Sequence, residues 1–181
     1  KVSNMEPIFE VLVDSLSTQY EKQIGLEFVC GDEKISAHIF DEVVIIIESL
    51  ISDAAKNSIE LPEDRERLGK PAVAKVTISL SLNDGIIRIA LTDDGRGFSK
   101  KAIRNQAIAL GLIDVETRLT LDEITYFVMA EEFSRPILAE SSTLDYSDLA
   151  ELHQQTRRLC GLISIDHRRQ IGNGIYVDVP E

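Results

Sequence analysis

The chain has 181 residues, 44% of them hydrophobic, which is enough for one sizeable core and one domain, residues 1–181. Its net charge of −12 argues against nucleic acid or an anionic membrane surface as partner, because both require a basic patch. The cysteines, Cys30 and Cys160, make no disulfide framework, no Cys/His cluster has zinc spacing, and the longest apolar run, residues 43–47, is far too short to span a bilayer. These features read as a soluble cytoplasmic domain, and Lys1 in first place reads as the start of a piece excised from something longer.

In chain order, Glu6-Pro7 ahead of Phe9, Leu12, Val13, Leu16 and Tyr20 predicts a helix with proline in its first turn, ended by Gly25. Residues 26–30 and 34–39 read as two short strands around Gly31-Asp32. Asp41 opens a strongly apolar helix in which Val43, Ile47, Leu50, Ile51 and Ala54 share a face. Residues 60–71, polar and holding two prolines, predict a loop. Residues 76–81 and 87–91 alternate on either side of Asn83-Asp84-Gly85, where Asp-Gly supplies the positive φ of a tight hairpin turn.

Ser99 then caps a helix through Ile108 that Gly111 ends, and Leu121-Asp122-Glu123 begins a shorter one carrying Ile124, Phe127 and Val128. Tyr126, Phe127 and Phe133 read as core. Residues 134–145 lack periodicity and read as a loop, residues 147–159 as an amphipathic helix. Strands at 162–167 and 175–179 close the chain around Gly172-Asn173-Gly174. This order predicts an α/β fold, a two-layer sandwich of a mixed, mostly antiparallel sheet with helices packed on one face.

The most informative stretch is Asp93-Asp94-Gly95-Arg96-Gly97-Phe98, directly after a strand. It places a carboxylate at a strand tip, followed by backbone free of Cβ atoms. That suits Asp93 accepting a hydrogen bond from an adenine amine while Gly95 and Gly97 let the ring lie close. The alternative for Asp93 is a strand-end carboxylate that caps the following loop, and the two glycines serve the turn in either case.

Read with Met5-Glu6-Pro7-Ile8-Phe9, the segment 57–65 through Gly69-Lys70-Pro71, the stretches 107–113 and 127–133, Cys160-Gly161 and Gly172-Asn173-Gly174, this box resembles the ATP-binding kinase domain of the chemotaxis histidine kinase CheA. The kinship extends to the wider GHKL (HATPase) group that includes gyrase, and it covers nearly the whole chain. The resemblance implies ATP and Mg²⁺ as cofactors, with Asp93, Gly95 and Gly97 as nucleotide-binding residues. It also puts Asp53 where the family carries its metal-holding asparagine, Ser49 at the position of the family's base, and Lys56 and Asn57 in place of Asp and His.

Positions 49, 53 and 56 or 57 share one helical stripe, so the spacing of a site survives with altered chemistry. Asp53 is a harder oxygen ligand than an amide and suits Mg²⁺. Ser49 has no activating partner, and Glu48 points about 100° away around the helix. The alternative for Ser49 and Asp53 is a solvated helix face. The family's phosphate-wrapping glycines fall on Leu144, Tyr146 and Asp148, with Glu140, Asp145 and Glu151 nearby, while Ile175 stands in place of a threonine. Arg135 and Lys70 offset this excess of carboxylates only in part.

Three functions follow from the resemblance. The first is a degenerate CheA-like domain of two-component signalling that binds ATP weakly or not at all and acts through protein contacts. The second is an active ATP-binding sensor kinase domain with a diverged Mg²⁺ site that phosphorylates a histidine phosphotransfer domain. The third is a phosphotransfer protein in which His153 would accept the phosphoryl group. The partners implied are coupling protein, receptor, and phosphotransfer or response-regulator domains, without nucleic acid or membrane insertion.

Overall fold

The computed structural model describes residues 1–32, 34–134, 145–168 and 172–181. Helix α1 (Glu6–Gln19) leads into strand β1 (Ile24–Cys30), then helix α2 (Ala37–Asp53) and the short α3 (Pro62–Arg67). The hairpin β2 (Ala74–Asn83) and β3 (Ile86–Asp93) follows, then α4 (Lys100–Ala109), α5 (Leu121–Met129), α6 (Ser147–Arg158) and the strands β4 (Leu162–Arg168) and β5 (Gly172–Pro180).

The sheet order is β1-β2-β3-β5-β4; β1 runs parallel to β2 and every other pair is antiparallel. Val76, Ile78 and Leu80 of β2, Ile87, Ile89 and Leu91 of β3, and Ile175, Val177 and Val179 of β5 are all buried on the helix-covered face. They meet Val43, Ile46, Ile47 and Leu50 of α2, and each such side chain contributes about 1.5–3 kcal/mol over leaving it in water. Thr77, Ser79 and Arg88 alternate onto the opposite face, where Arg88 grips Asp178 with two hydrogen bonds of 2.7 and 2.6 Å. The expected two-layer sandwich is the observed architecture. No helix among the described residues is long and apolar enough to cross a membrane.

Local signals placed most elements. Asp84 and Gly85 both take positive φ, +50° and +75°, in the hairpin turn. Ser99 Oγ accepts the Ala102 N–H at 3.2 Å to cap α4, and Gly111 at φ +70° ends the turn beyond it. Thr120 and Glu123 form a reciprocal capping box at the start of α5.

Five expectations are corrected. Residues 34–39 are no strand: Ser36 precedes α2, which begins at Ala37 rather than at Asp41, because Ile39 is needed in the core beside Val43. Residues 60–71 are not all loop, since Pro62 with Glu63 and Asp64 in the first turn starts α3. Gly25 does not end α1, which stops at Gln19 and turns through Glu21 at φ +55°; Gly25 lies inside β1. Gly172-Asn173-Gly174 forms the start of β5, not the turn before it. Tyr126 is 67% exposed, while Phe127 and Phe133 are core as expected. Of the loop expected at 134–145, residues 135–144 lie outside the described residues.

Candidate functional site

Strand β3 delivers Asp93 to the edge of the helical layer, and the residues around it are held by backbone contact. Asp93 Oδ1 accepts from Ser58 Oγ at 2.6 Å and from the Gly95 N–H at 2.8 Å. The Arg96 N–H donates to the Ser58 carbonyl at 2.9 Å. A Cβ on Gly95 would fall 2.3 Å from that same carbonyl oxygen, and one on Gly172 would fall 1.7 Å from the Asp93 carbonyl. Gly97 takes φ +70°. Both glycines of the box are therefore required by the turn and its packing. Burial pushes the Asp93 carboxyl up from its ordinary value, against the hydrogen bonds from Ser58 and the Gly95 backbone.

Two buried acceptors here, Asp93 Oδ2 and Asn173 Oδ1, have no hydrogen-bond partner among the described residues. Asn173 Nδ2 reaches Ser58 Oγ at 3.3 Å, so both open oxygens border one serine.

Behind the box lies an ion cluster. Arg65, fully buried, donates to Glu60 Oε2 at 3.0 Å, to Asp94 Oδ2 at 2.8 Å and to the Pro71 carbonyl at 2.8 Å. Lys70 Nζ donates to Glu60 Oε1 at 2.9 Å and to the carbonyls of Asp94 and Gly95, both at 2.8 Å. Burial would raise the Glu60 carboxyl, but Lys70 and Arg65 hold it below its usual value. Lys70 is thus spent on the box itself. The residues that the sequence reading passed over are Ser58, Glu60, Arg65 and Asn173; only the Pro62-Glu63-Asp64 helix start pointed toward the cluster.

The other end of the site is built by the end of α2 and the start of α6. After Asp53 the helix widens into a π turn, Ala54–Ser58, closed by the Ile59 N–H on the Ala54 carbonyl at 2.9 Å. Lys22 Nζ donates to the carbonyls of Ala55 and Lys56, and burial together with Arg96 brings that lysine down to about 8. Asp53 does not sit on a solvated face: it is 1% exposed, and Asn57 Nδ2 donates to its Oδ1 at 2.8 Å. Burial pushes its carboxyl up to about 7, aided by the charges of Asp148 and Asp93 and opposed by Asn57.

Lys56 pairs with Asp145 at 2.6 Å and Asp148 at 3.3 Å, and Asn57 also donates to the Asp145 carbonyl at 2.8 Å. Burial would lower Lys56, but these carboxylates hold it above its ordinary value. Between Asp145 and Asp148, Tyr146 is buried with its ring 5.5 Å from Phe98 and stacked 6.2 Å from Phe133. Burial and the neighbouring Asp53 charge push the Tyr146 hydroxyl well up.

The remaining sequence candidates are dispersed. Ser49 Oγ donates to the Ile45 carbonyl of its own helix at 3.0 Å. Ile175 is buried in the sheet opposite Leu91. Glu151 and His153 lie farther along α6, His153 facing a cavity shared with Arg157 and Cys160. Arg135, Glu140 and Leu144 lie outside the described residues.

No family model matches the chain. Its sequence is 29% identical over 126 residues to the chemotaxis protein CheA of Salmonella typhimurium, covering 70% of this chain and 19% of that protein. It is 26% identical over 171 residues to CheA of Treponema pallidum, covering 93% of this chain and 21% of the relative. The mycobacterial sensor histidine kinase MprB superposes with a TM-score of 0.53 at 17% identity, over 97% of this chain and 95% of that structure. This chain is CheA-like in sequence and has the histidine kinase ATPase fold. It spans about a fifth of the length of the curated CheA relatives it matches.

For the ATP and Mg²⁺ that this likeness implies, the two ends of the site fit unequally. An amine edge would find two open, buried acceptors in Asp93 Oδ2 and Asn173 Oδ1. A metal with its phosphates would meet a buried Asp53 already bonded to Asn57, and a lysine already taken by two carboxylates.

Proposed function

We propose that this chain is a degenerate CheA-like histidine kinase ATPase domain of two-component, chemotaxis-type signalling, which binds ATP weakly or not at all and acts through protein contacts. The observation that carries this reading is the closure of Lys56 by Asp145 and Asp148, with Tyr146 buried between them. A triphosphate entering here meets both carboxylates. Each one about 5 Å from a phosphate charge costs on the order of 3 kcal/mol at an effective dielectric of 20.

Ser49, its hydroxyl donated to Ile45, is a poor base, and loss of proton abstraction costs a factor of roughly 10²–10⁴. By fold analogy the partners are a coupling protein, a receptor and phosphotransfer or response-regulator domains, and the setting is cytoplasmic. Calorimetric titration with MgATP is the test. Absent or millimolar binding is expected, and a micromolar Kd overturns the reading.

A second reading has its own observation. The open acceptors Asp93 Oδ2 and Asn173 Oδ1 suit an adenine amine, which favours an active domain with Asp53 on Mg²⁺ and Gly95 and Gly97 beneath the base. That reading expects the full-length protein to phosphorylate a histidine-bearing phosphotransfer domain, with activity lost in Asp93→Asn. No transfer by the parent protein removes it.

A further inference from the structure

Away from the Asp93 and Asp53 ends, a groove of about 530 Å³ runs between α2 and α6. On α6 its lining passes from Ser147 through Ala150, Glu151 and Gln154 to Arg158, the spacing of a single helical stripe, with Leu159 just past the helix end. The stripe extends along all 12 residues of the helix, about 18 Å at 1.5 Å per residue. Leu149 and Leu152 occupy the opposite stripe and are buried in the core, so α6 has one face for the fold and another left over. The far wall is Glu42 and Ile45 of α2, Ile45 being 45% exposed.

The floor is apolar and the rim is acidic. Glu42 is bonded by Gln155 Nε2 at 2.8 Å and Glu131 by Gln154 Nε2 at 3.1 Å, both neutral donors. Glu151 stands exposed between them, and none of the three has a cationic partner among the described residues. Among the described lining residues these three carboxylates share the groove with one cation, Arg158, over a floor in which Ile45 is exposed, Leu159 half-buried and Ala150 buried. A length of several turns excludes a small cation as the natural occupant, and the apolar floor calls for carbon as well as charge.

We infer that this groove docks a basic amphipathic helix of a partner protein, its aliphatic side chains on Ile45 and Leu159 and its lysines or arginines on Glu42, Glu131 and Glu151. The inference rests on the proposed role in protein contacts and names the chemistry of the contact. The groove and the site share their walls: Lys56 after α2 bridges to Asp148 in the first turn of α6, so an occupant between these helices bears on that closure.

Fluorescence anisotropy with a labelled helical peptide of leucine and lysine tests this, with a leucine and glutamate peptide as control. Each rim pair is worth about two- to fivefold in Kd, so Glu42→Gln/Glu131→Gln/Glu151→Gln together should weaken binding by at least about tenfold. A triple change of equal charge elsewhere, Glu10→Gln/Glu66→Gln/Asp84→Asn, should stay within about twofold. Equal losses in the two triples, no binding by the parent, or binding of the acidic peptide overturns the inference. Should the groove triple fail to fold, Glu151→Gln alone, an exposed position, should still weaken binding about two- to fivefold. No nucleotide enters this experiment. Tight MgATP binding would therefore overturn the proposed function and leave the docking result standing, and the reverse holds equally.

Discussion

The two ends of the candidate site are made by neighbouring elements yet satisfy their polar groups in opposite ways. At the Asp93 end the supporting charges are all paired, with buried Arg65 and Glu60 and part-exposed Lys70 and Asp94 closing one cluster, while two acceptors in front of them stay open. At the Asp53 end no buried acceptor among the described residues is open: Asn57 serves Asp53, and Lys56 serves Asp145 and Asp148. A ligand gains most where groups lack partners and least where its own charges must replace existing ones. The two ends thus differ in what they leave open to a ligand, although one fold builds both.

The largest expected effect breaks the first end. Arg65→Ala leaves Glu60 and Asp94 without their buried cation and should cost about 3 kcal/mol or more, read as a lowered urea midpoint. A cost under 1 kcal/mol would mean that Lys70 alone holds the box.

Next comes Asp53→Asn, which keeps the Asn57 contact and removes the titration. Folded Asp53 is raised to about 7 from an ordinary 3.8, so folding holds a proton that the unfolded chain releases. Below about pH 4 both states are protonated and the variant should match the parent. Between about pH 4 and 7 the parent loses stability relative to the variant, and above about 7 the gap is constant, at most about 4 kcal/mol. Thermal unfolding at pH 4, 6 and 8 reads this directly, and a pH-independent gap would remove the assignment.

The second end is sharpened by Asp145→Asn/Asp148→Asn. These pairs are part-exposed, so stability should fall by only about 1 kcal/mol. MgATP affinity should rise by at least about tenfold if the carboxylates are what oppose phosphate. Unchanged affinity would shift the weight to the buried Tyr146. Smallest of all, Tyr126→Ala should stay within about 0.5 kcal/mol, since its ring is mostly in water.

The misreadings share a cause. Residues 34–39 alternate well enough for a strand, but α2 needs Ile39 for the core and takes residues 37–39 into its first turn. Asp53 reads as an exposed polar position on an otherwise apolar helix, yet α6 and Tyr146 lie near enough to bury it. Arg65, within the stretch 60–71 read as a polar loop, is among the most enclosed side chains of the molecule. Tyr126 fails in the other direction, an aromatic beside Phe127 that points outward.

Local chemistry alone was enough to locate the β2–β3 hairpin, the apolar face of α2, the Ser99 cap and the Asp93 box, because each depends on residues within a turn or a strand of one another. Pairing across the fold was not legible that way. Lys56 with Asp148 spans 92 positions and Ser58 with Asn173 spans 115, and Gly172, at φ +103°, lies where a Cβ would also strike the Asp93 carbonyl. Those meetings exist only once the sheet has brought its strands together, and they decide which polar atoms are left with something to bind.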